Sequence, residues 1–454
     1  MSLKSRSSRM GQEPVGWLLF QFSIPAIVGM VASALYNIVD RMFIGHVVGS
    51  RGLAAVTVTF PFFLFIIASG ILIGVGTSSQ ISRALGEGRH DWAQAAMGNG
   101  IMAMMGASIL VISVGAVFMD DLMRLCGATP ALMPMIRSYL EVILWGVPFQ
   151  LVSFCGNYFI RAEGHPRHAM WTLILGAGGN VVLDWLFIVR MNMGVRGAAL
   201  GTVLAQVVAS LWVLSFYVRR MGGLDLREIR PQRDIMVEMV TVGFSPCMME
   251  MFFVLIMVVL NRTLSRLGGE VAVSAMGIFF SLDSLLFMPV VGIGEGAQPL
   301  IGYNYGAGKF DRVSRTVFLA MTAAVVFFLG SLVVAETVPH LLVRLFNDDN
   351  RSLADLAVRA IRIGYAGAPM AGVAIISAFF FQALGKARQS LALNLCRQVL
   401  FLLPPLILLP PLMGVDGAWL SFPIMDVGGG LMGGWMVRSE MARWRRSDDH
   451  EAKG

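Results

Sequence analysis

Twelve apolar stretches, each long enough to cross a bilayer, follow one another along the chain. They fall at about 15–39, 55–80, 93–118, 138–160, 169–189, 198–218, 236–260, 271–301, 317–338, 361–383, 391–412 and 415–437. Sustained apolarity over such lengths means helices, because hydrocarbon tolerates only backbones whose polar groups are satisfied internally. The composition agrees: 56% of residues are hydrophobic and 14% charged, against about 25% charged in soluble domains. The fold class is therefore an all-α polytopic membrane protein. The first stretch, which follows Lys4, Arg6 and Arg9, is too long for a signal-peptide core and reads as an uncleaved first span.

An even number of spans puts both termini on one side. Lys and Arg favour the termini and the even-numbered loops by nearly two to one, so that side is expected to be cytoplasmic. The basic stretch after the sixth span holds Arg219, Arg220, Arg227, Arg230 and Arg233, and Arg443, Arg445 and Arg446 surround Trp444 in the tail, which reads as a cytoplasmic anchor. The formal net charge of +7 would suit nucleic acid. Its confinement to alternate loops explains it as membrane topology, and no nucleic-acid partner is expected. The scattered Cys126, Cys155, Cys247 and Cys396 read as small apolar packing residues.

The chain also repeats itself. Gly146-Val147-Pro148 recurs as Gly367-Ala368-Pro369, Arg161-Ala162-Glu163-Gly164 as Gln382-Ala383-Leu384-Gly385, and Gly86-Glu87-Gly88 as Gly306-Ala307-Gly308. Gly194-Val195-Arg196-Gly197-Ala198 recurs as Gly414-Val415-Asp416-Gly417-Ala418, and every offset is 220 or 221. A unit of six spans keeps its orientation when duplicated, giving a parallel repeat about an axis along the membrane normal. Two six-helix lobes are expected, residues 1–220 and 221–454, with a cleft between them.

Against this repeat the acids are unevenly placed. Asp40 ends an apolar first span, where a carboxylate costs roughly 2.5–3.5 kcal/mol at mid-helix and usually faces a cavity. Its counterpart is Asn261, whereas Arg41 and Arg262 match. Asn180 and Asp184 share a face of span five, and their counterparts are Phe401 and Pro405. Such a pair can coordinate Na⁺ or equally hold a protonated acid. Pro25, matched by Pro246, sits inside span one as a kink that is either static or a hinge. The second lobe has its own in-span charges, Glu250, Asp283, Glu295, Arg397 and Asp426. They make either a structural ion-pair network or a second substrate or ion site, and Arg397 needs one of the acids as its partner.

Other chemistry is weakly represented. GYNYGAGK at 302–309 has the wrong spacing for a phosphate loop. The six histidines lack metal-ligand spacing, and no nucleophile–base pair is visible. No enzyme and no bound cofactor are expected.

LYNIVDRMFIGH at 35–46, GAQPLIGYNYGAGK at 296–309, the span-one proline and the paired glycine–proline turns resemble the multidrug and toxic compound extrusion (MATE) family, over residues 13 to 437. The resemblance implies twelve helices in two bundles around a V-shaped cleft. It also implies export of organic, often cationic amphipathic compounds in exchange for H⁺ or Na⁺. One branch of that family couples through an Asp on helix one, an Asn and an Asp on helix five and a Thr on helix six. These match Asp40, Asn180, Asp184 and Thr202, with the backbone of Ala198 contributing and Pro25 as the bend. Another branch uses an acid on helix ten, and this chain has no Asp or Glu between Ile363 and Phe381. The expectation is thus a monomeric multidrug antiporter of the inner membrane, surrounded by lipid. The rival is a flippase for lipid-linked glycans, which shares the scaffold but needs a strongly cationic cleft.

Overall fold

The computed structural model describes residues 8–126, 128–225, 230–344 and 351–451. Lys4, Arg6 and Arg227, and the side chain of Arg445, lie outside the described residues. Helices account for the architecture: α1 (Val15–Phe43), α2 (Ser50–Gly86), α3 (His90–Leu125), α4 (Met133–Ala162), α5 (Pro166–Asp184) and α6 (Gly194–Val218). The next runs from Arg233 to Gly306 but breaks at Gly269, whose φ of +62° takes it out of the helix, giving α7 (233–268) and α8 (270–306). Then come α9 (Phe310–Thr337), a broken α10 (Arg351–Tyr365 and Ala368–Ala383), α11 (Ala387–Met413) and α12 (Val415–Glu451). Among the described residues nine helices are long and apolar enough to cross a membrane, or ten counting the bent pair. The division at Gly269 and the less apolar α12 complete twelve.

The duplication is visible in the turns. The α2–α3 and α8–α9 connections close with the same bonds, Arg89 N to Ala84 O at 2.9 Å and Lys309 N to Asn304 O at 2.8 Å. Each passes through a left-handed glycine, Gly88 at φ +74° and Gly308 at φ +68°.

Packing falls into two apolar cores. One gathers residues of α2–α6; the other gathers residues of α7–α12. The cores exchange ends: Leu18, Leu19 and Phe22 of α1 belong to the second, and Ile235 and Met239 of α7 to the first. The halves meet closely at the end that carries the termini. A Cβ added to Gly76 would strike the backbone of Met239, one on Gly243 that of Leu72, and Gly86 and Gly306 would strike Tyr303 and Arg83. Leu35, Ile38, Met42, Phe253 and Leu255 remain exposed.

Three local features differ from the sequence reading. The tenth span is two helices bent by 53° at Gly367, because the backbone of Pro423 lies where a Cβ on that glycine would go and Pro369 supplies no N–H. α1 runs through Pro25 with no non-helical residue, although one backbone hydrogen bond is lost there. Trp444 of the tail is buried, stacked on Phe310 at 5.0 Å.

Candidate functional site

Three helices converge on the first-lobe acids. Asp184 ends α5 and is fully buried, and Asn180 one turn earlier is 2% exposed. With its amide turned so that donors face acceptors, Asn180 donates to Asp184 Oδ2 at 3.0 Å and accepts from Thr202 N of α6 at 3.2 Å. Gly201 lets α6 approach, since any side chain there would land on Asp184 Oδ1. Ala198 is buried one turn before Thr202. Among the described hydrogen bonds, none joins Ala198 to the acids.

Asp40 reaches this group from α1. Its carboxyl lies within hydrogen-bonding distance of Asp184, yet its Oδ1 is buried with no donor. The two facts agree once the chemistry is considered, because two carboxylate oxygens facing each other are both acceptors. Arg41 is near enough to act on Asp40 electrostatically, and its guanidinium sits 5.8 Å from the Phe60 ring. Tyr36 and Tyr139 feel both acids. Neither tyrosine was singled out in the sequence, although Tyr36 lies one turn before Asp40 on the same face.

Backbone irregularity marks the same places. Wide π turns continue α1 over Ile44–Val48 and α5 over Trp185–Arg190, and a third, Cys396–Leu402, contains Arg397. Such turns recur at functional sites. The Asp40 and Asp184 carboxylates and the Thr202 hydroxyl offer oxygen, the chemistry of a proton or a hard cation rather than a soft metal. Among the described residues no group of three or more His, Cys, Asp or Glu is placed to hold a metal ion.

The five second-lobe charges do not form one site. Arg397 Nη2 donates to Asp426 Oδ1 at 3.0 Å, and Tyr365 Oη donates to Asp283 Oδ1 at 3.3 Å. Glu295 instead joins the first lobe. Arg161 of α4 pairs with its Oε2, and Tyr158 Oη donates to its Oε1 at 3.0 Å. Side-chain exposures of 5% for Arg161 and 2% for Glu295 make this a buried ion pair between halves. The reason is positional: Glu295 lies on the part of α8 that packs against the first lobe. Glu250 is part of neither cluster. Ser79 Oγ, donating to Gln382 O at 2.5 Å, and the Arg83–Glu238 pair also bridge the halves. Glu163, in the turn after α4, accepts from Gly223 N at 2.8 Å and Leu224 N at 3.2 Å, pinning the link between lobes.

A twelve-helix, internally duplicated bundle with a cleft and buried acids defines a multi-pass membrane transporter. The sequence matches the MatE family over residues 25–186 and 246–406, and the chain belongs to that family. It is 26% identical over 417 residues to the multidrug export protein MepA of Staphylococcus aureus strain N315, covering 91% of this chain and 92% of that one. Two solved structures share its fold at 24% identity. A MATE protein in complex with MaL6 gives a TM-score of 0.93, covering 97% of this chain and 100% of that one. The outward-facing conformation of a multidrug resistance MATE family transporter of the MOP superfamily gives 0.92, covering 97% and 99%.

Proposed function

We propose that this protein is a secondary active exporter of organic, cationic amphipathic compounds, driven inward-for-outward by H⁺ or Na⁺. Asp40, Asn180, Asp184 and Thr202 form its coupling site. The observation that carries this reading is the buried contact between Asp40 and Asp184. Two carboxylates cannot both stay ionised and unbridged there. A shared proton, or a Na⁺ held with the Thr202 hydroxyl and, once its amide turns back, the Asn180 oxygen, resolves the repulsion. Loss of that bridge drives α1 away from α5. Because α1 also packs on the second lobe, such a displacement reaches the lobe interface, and the cleft opens alternately to the two sides. Only differential binding between the two states does this work, and a potential of ~100 mV adds roughly 2.3 kcal/mol per charge moved. The charge asymmetry of the loops supports both termini lying on the cytoplasmic side of the inner membrane.

The flippase reading needs free cationic side chains for a pyrophosphate. Among the described residues the two buried arginines, Arg161 and Arg397, are each matched by an acid, which favours the exporter. The resemblance of MepA, a multidrug export protein by name, favours it too.

The test is ethidium efflux from proteoliposomes under an imposed pH gradient, then an imposed Na⁺ gradient. Efflux that follows one gradient and vanishes in Asp40→Asn and Asp184→Asn names the ion. Wild-type rates in both correctly inserted variants would overturn the assignment.

A further inference from the structure

In the second-lobe group of Arg397, Asp426 and Asp283, one carboxylate has no ion-pair partner among the described residues. Arg397 and Asp426 form an ion pair and cancel each other's charge. Asp283 receives only the Tyr365 hydroxyl among the described hydrogen bonds, and none of the described ion pairs includes it. When the three ionisable groups are charged, one net negative charge therefore remains, and it resides on Asp283. That side chain is half-buried rather than sealed. The counterparts of Asp283 at the repeat offsets are Phe62 and Phe63, so the first lobe has no equivalent acid.

An aromatic wall continues from the same tyrosine. Tyr365 packs on Phe279 at 5.3 Å, Phe279 and Phe280 meet Phe422 at 5.6 and 6.0 Å, and Phe253 stands 6.2 Å from Phe280. Phe280 lies three residues before Asp283, on the same face of α8. A wall that served only as core would be closed off. Here Phe253 is 40% exposed, and Phe280 and Phe422 are only half-buried. Open aromatic faces beside an unmatched carboxylate suit a cation whose charge is spread over an apolar body, because ring faces attract such ions without the desolvation cost of a compact ammonium.

We propose that Asp283, with the aromatic wall of Phe253, Phe280 and Phe422, recognises organic cations in the second lobe. Tyr365 orients the carboxylate. The proposal rests on the export reading and names the residues that select its substrates, separate from the acids that couple to the driving ion.

The experiment measures binding to the purified full-length protein by calorimetry, with tetraphenylphosphonium as the cation and triphenylphosphine oxide as its uncharged analogue. Asp283→Asn is expected to weaken tetraphenylphosphonium by about tenfold or more, the scale of a lost charge-assisted contact, and to leave the oxide unchanged. Phe280→Leu and Phe422→Leu weaken the cation more than the oxide, and Asp283→Glu recovers part of the loss. Wild-type affinity in a folded Asp283→Asn, or equal loss of both ligands, overturns the proposal. Should Asp283→Asn not fold, an unchanged ratio of the two affinities in Tyr365→Phe and Phe422→Leu overturns it instead. Ion-driven ethidium efflux by the wild type, measured alongside, separates the two readings. Efflux with no effect at Asp283 removes only the recognition site, whereas no binding and no efflux of any cation removes both.

Discussion

Arg161 and Glu295 come from opposite halves of the chain and form a buried ion pair at the closed end of the cleft. Their repeat counterparts, Gln382 and Val75, cannot pair. This fastening therefore exists on one side of the pseudo-twofold axis only.

Removing one partner leaves a buried charge uncompensated. Arg161→Met or Glu295→Gln is expected to destabilise this closed form by about 3–5 kcal/mol. The double variant Arg161→Met/Glu295→Leu falls much nearer wild type. Thermal unfolding in detergent checks the energies. In a background free of native cysteines, a cysteine at Ser78, which lines the closure, should react faster in the single variants. Equal reactivity in all would show that the pair does not hold the end shut.

Gly201→Ala places a methyl on Asp184 Oδ1. The backbone of α6 must retreat, and overpacking of this kind costs about 1–3 kcal/mol. Efflux should drop sharply while a smaller loss of melting temperature is seen. Efflux at wild-type rate would mean that α6 does not help position the acid.

Gly243→Ala tests the lobe contact itself, since its methyl meets the Leu72 backbone, which has no rotamer to yield. Thermal stability should fall, and labelling at Ser78 should rise as in the ion-pair variants. Gly277→Ala, where no atom lies within 4 Å of the added carbon, is the control and should change neither.

Glu163 supplies a pH dependence. Burial pushes its carboxyl up to about 7, against the lowering effect of the Gly223 and Leu224 amides. A raised acid pKa means that the folded state binds the proton more tightly than the unfolded chain. The stabilisation is complete below about 4.5 and is lost as pH rises through about 7. Relative to Glu163→Gln, the wild type should thus match the variant near pH 5. Near pH 8 it should fall below the variant by on the order of 3 kcal/mol. Melting curves at both pH values decide this, and a gap of the same size at both would contradict it.

The number of spans, the duplication and the confinement of the Asp40–Asp184 group to one lobe are readable in sequence because each follows from local hydrophobicity or a fixed offset. What sequence cannot supply is the contact made at a distance. The glycine–proline motif at 146–148 leaves α4 unbroken through Pro148, while its copy at 367–369 splits α10. The difference lies in what each glycine faces: the movable side chain of Val203 for Gly146, the backbone of Pro423 for Gly367. Glu295 looked like a member of the second-lobe acids for a similar reason. Its partner lies 134 residues away, and nothing in the local pattern points to it. Asp283 was visible as an in-span acid, but the rest of its aromatic surroundings beyond Phe279 and Phe280 comes from three other helices.

The exchange of ends between the two cores bears on how the chain is built. Leu18, Leu19 and Phe22 rest against residues from 256 onward, so the first helix to enter the membrane cannot take its final seat until the eighth has followed it. Expressed apart, the amino- and carboxy-terminal halves would each lack residues that complete the other's core.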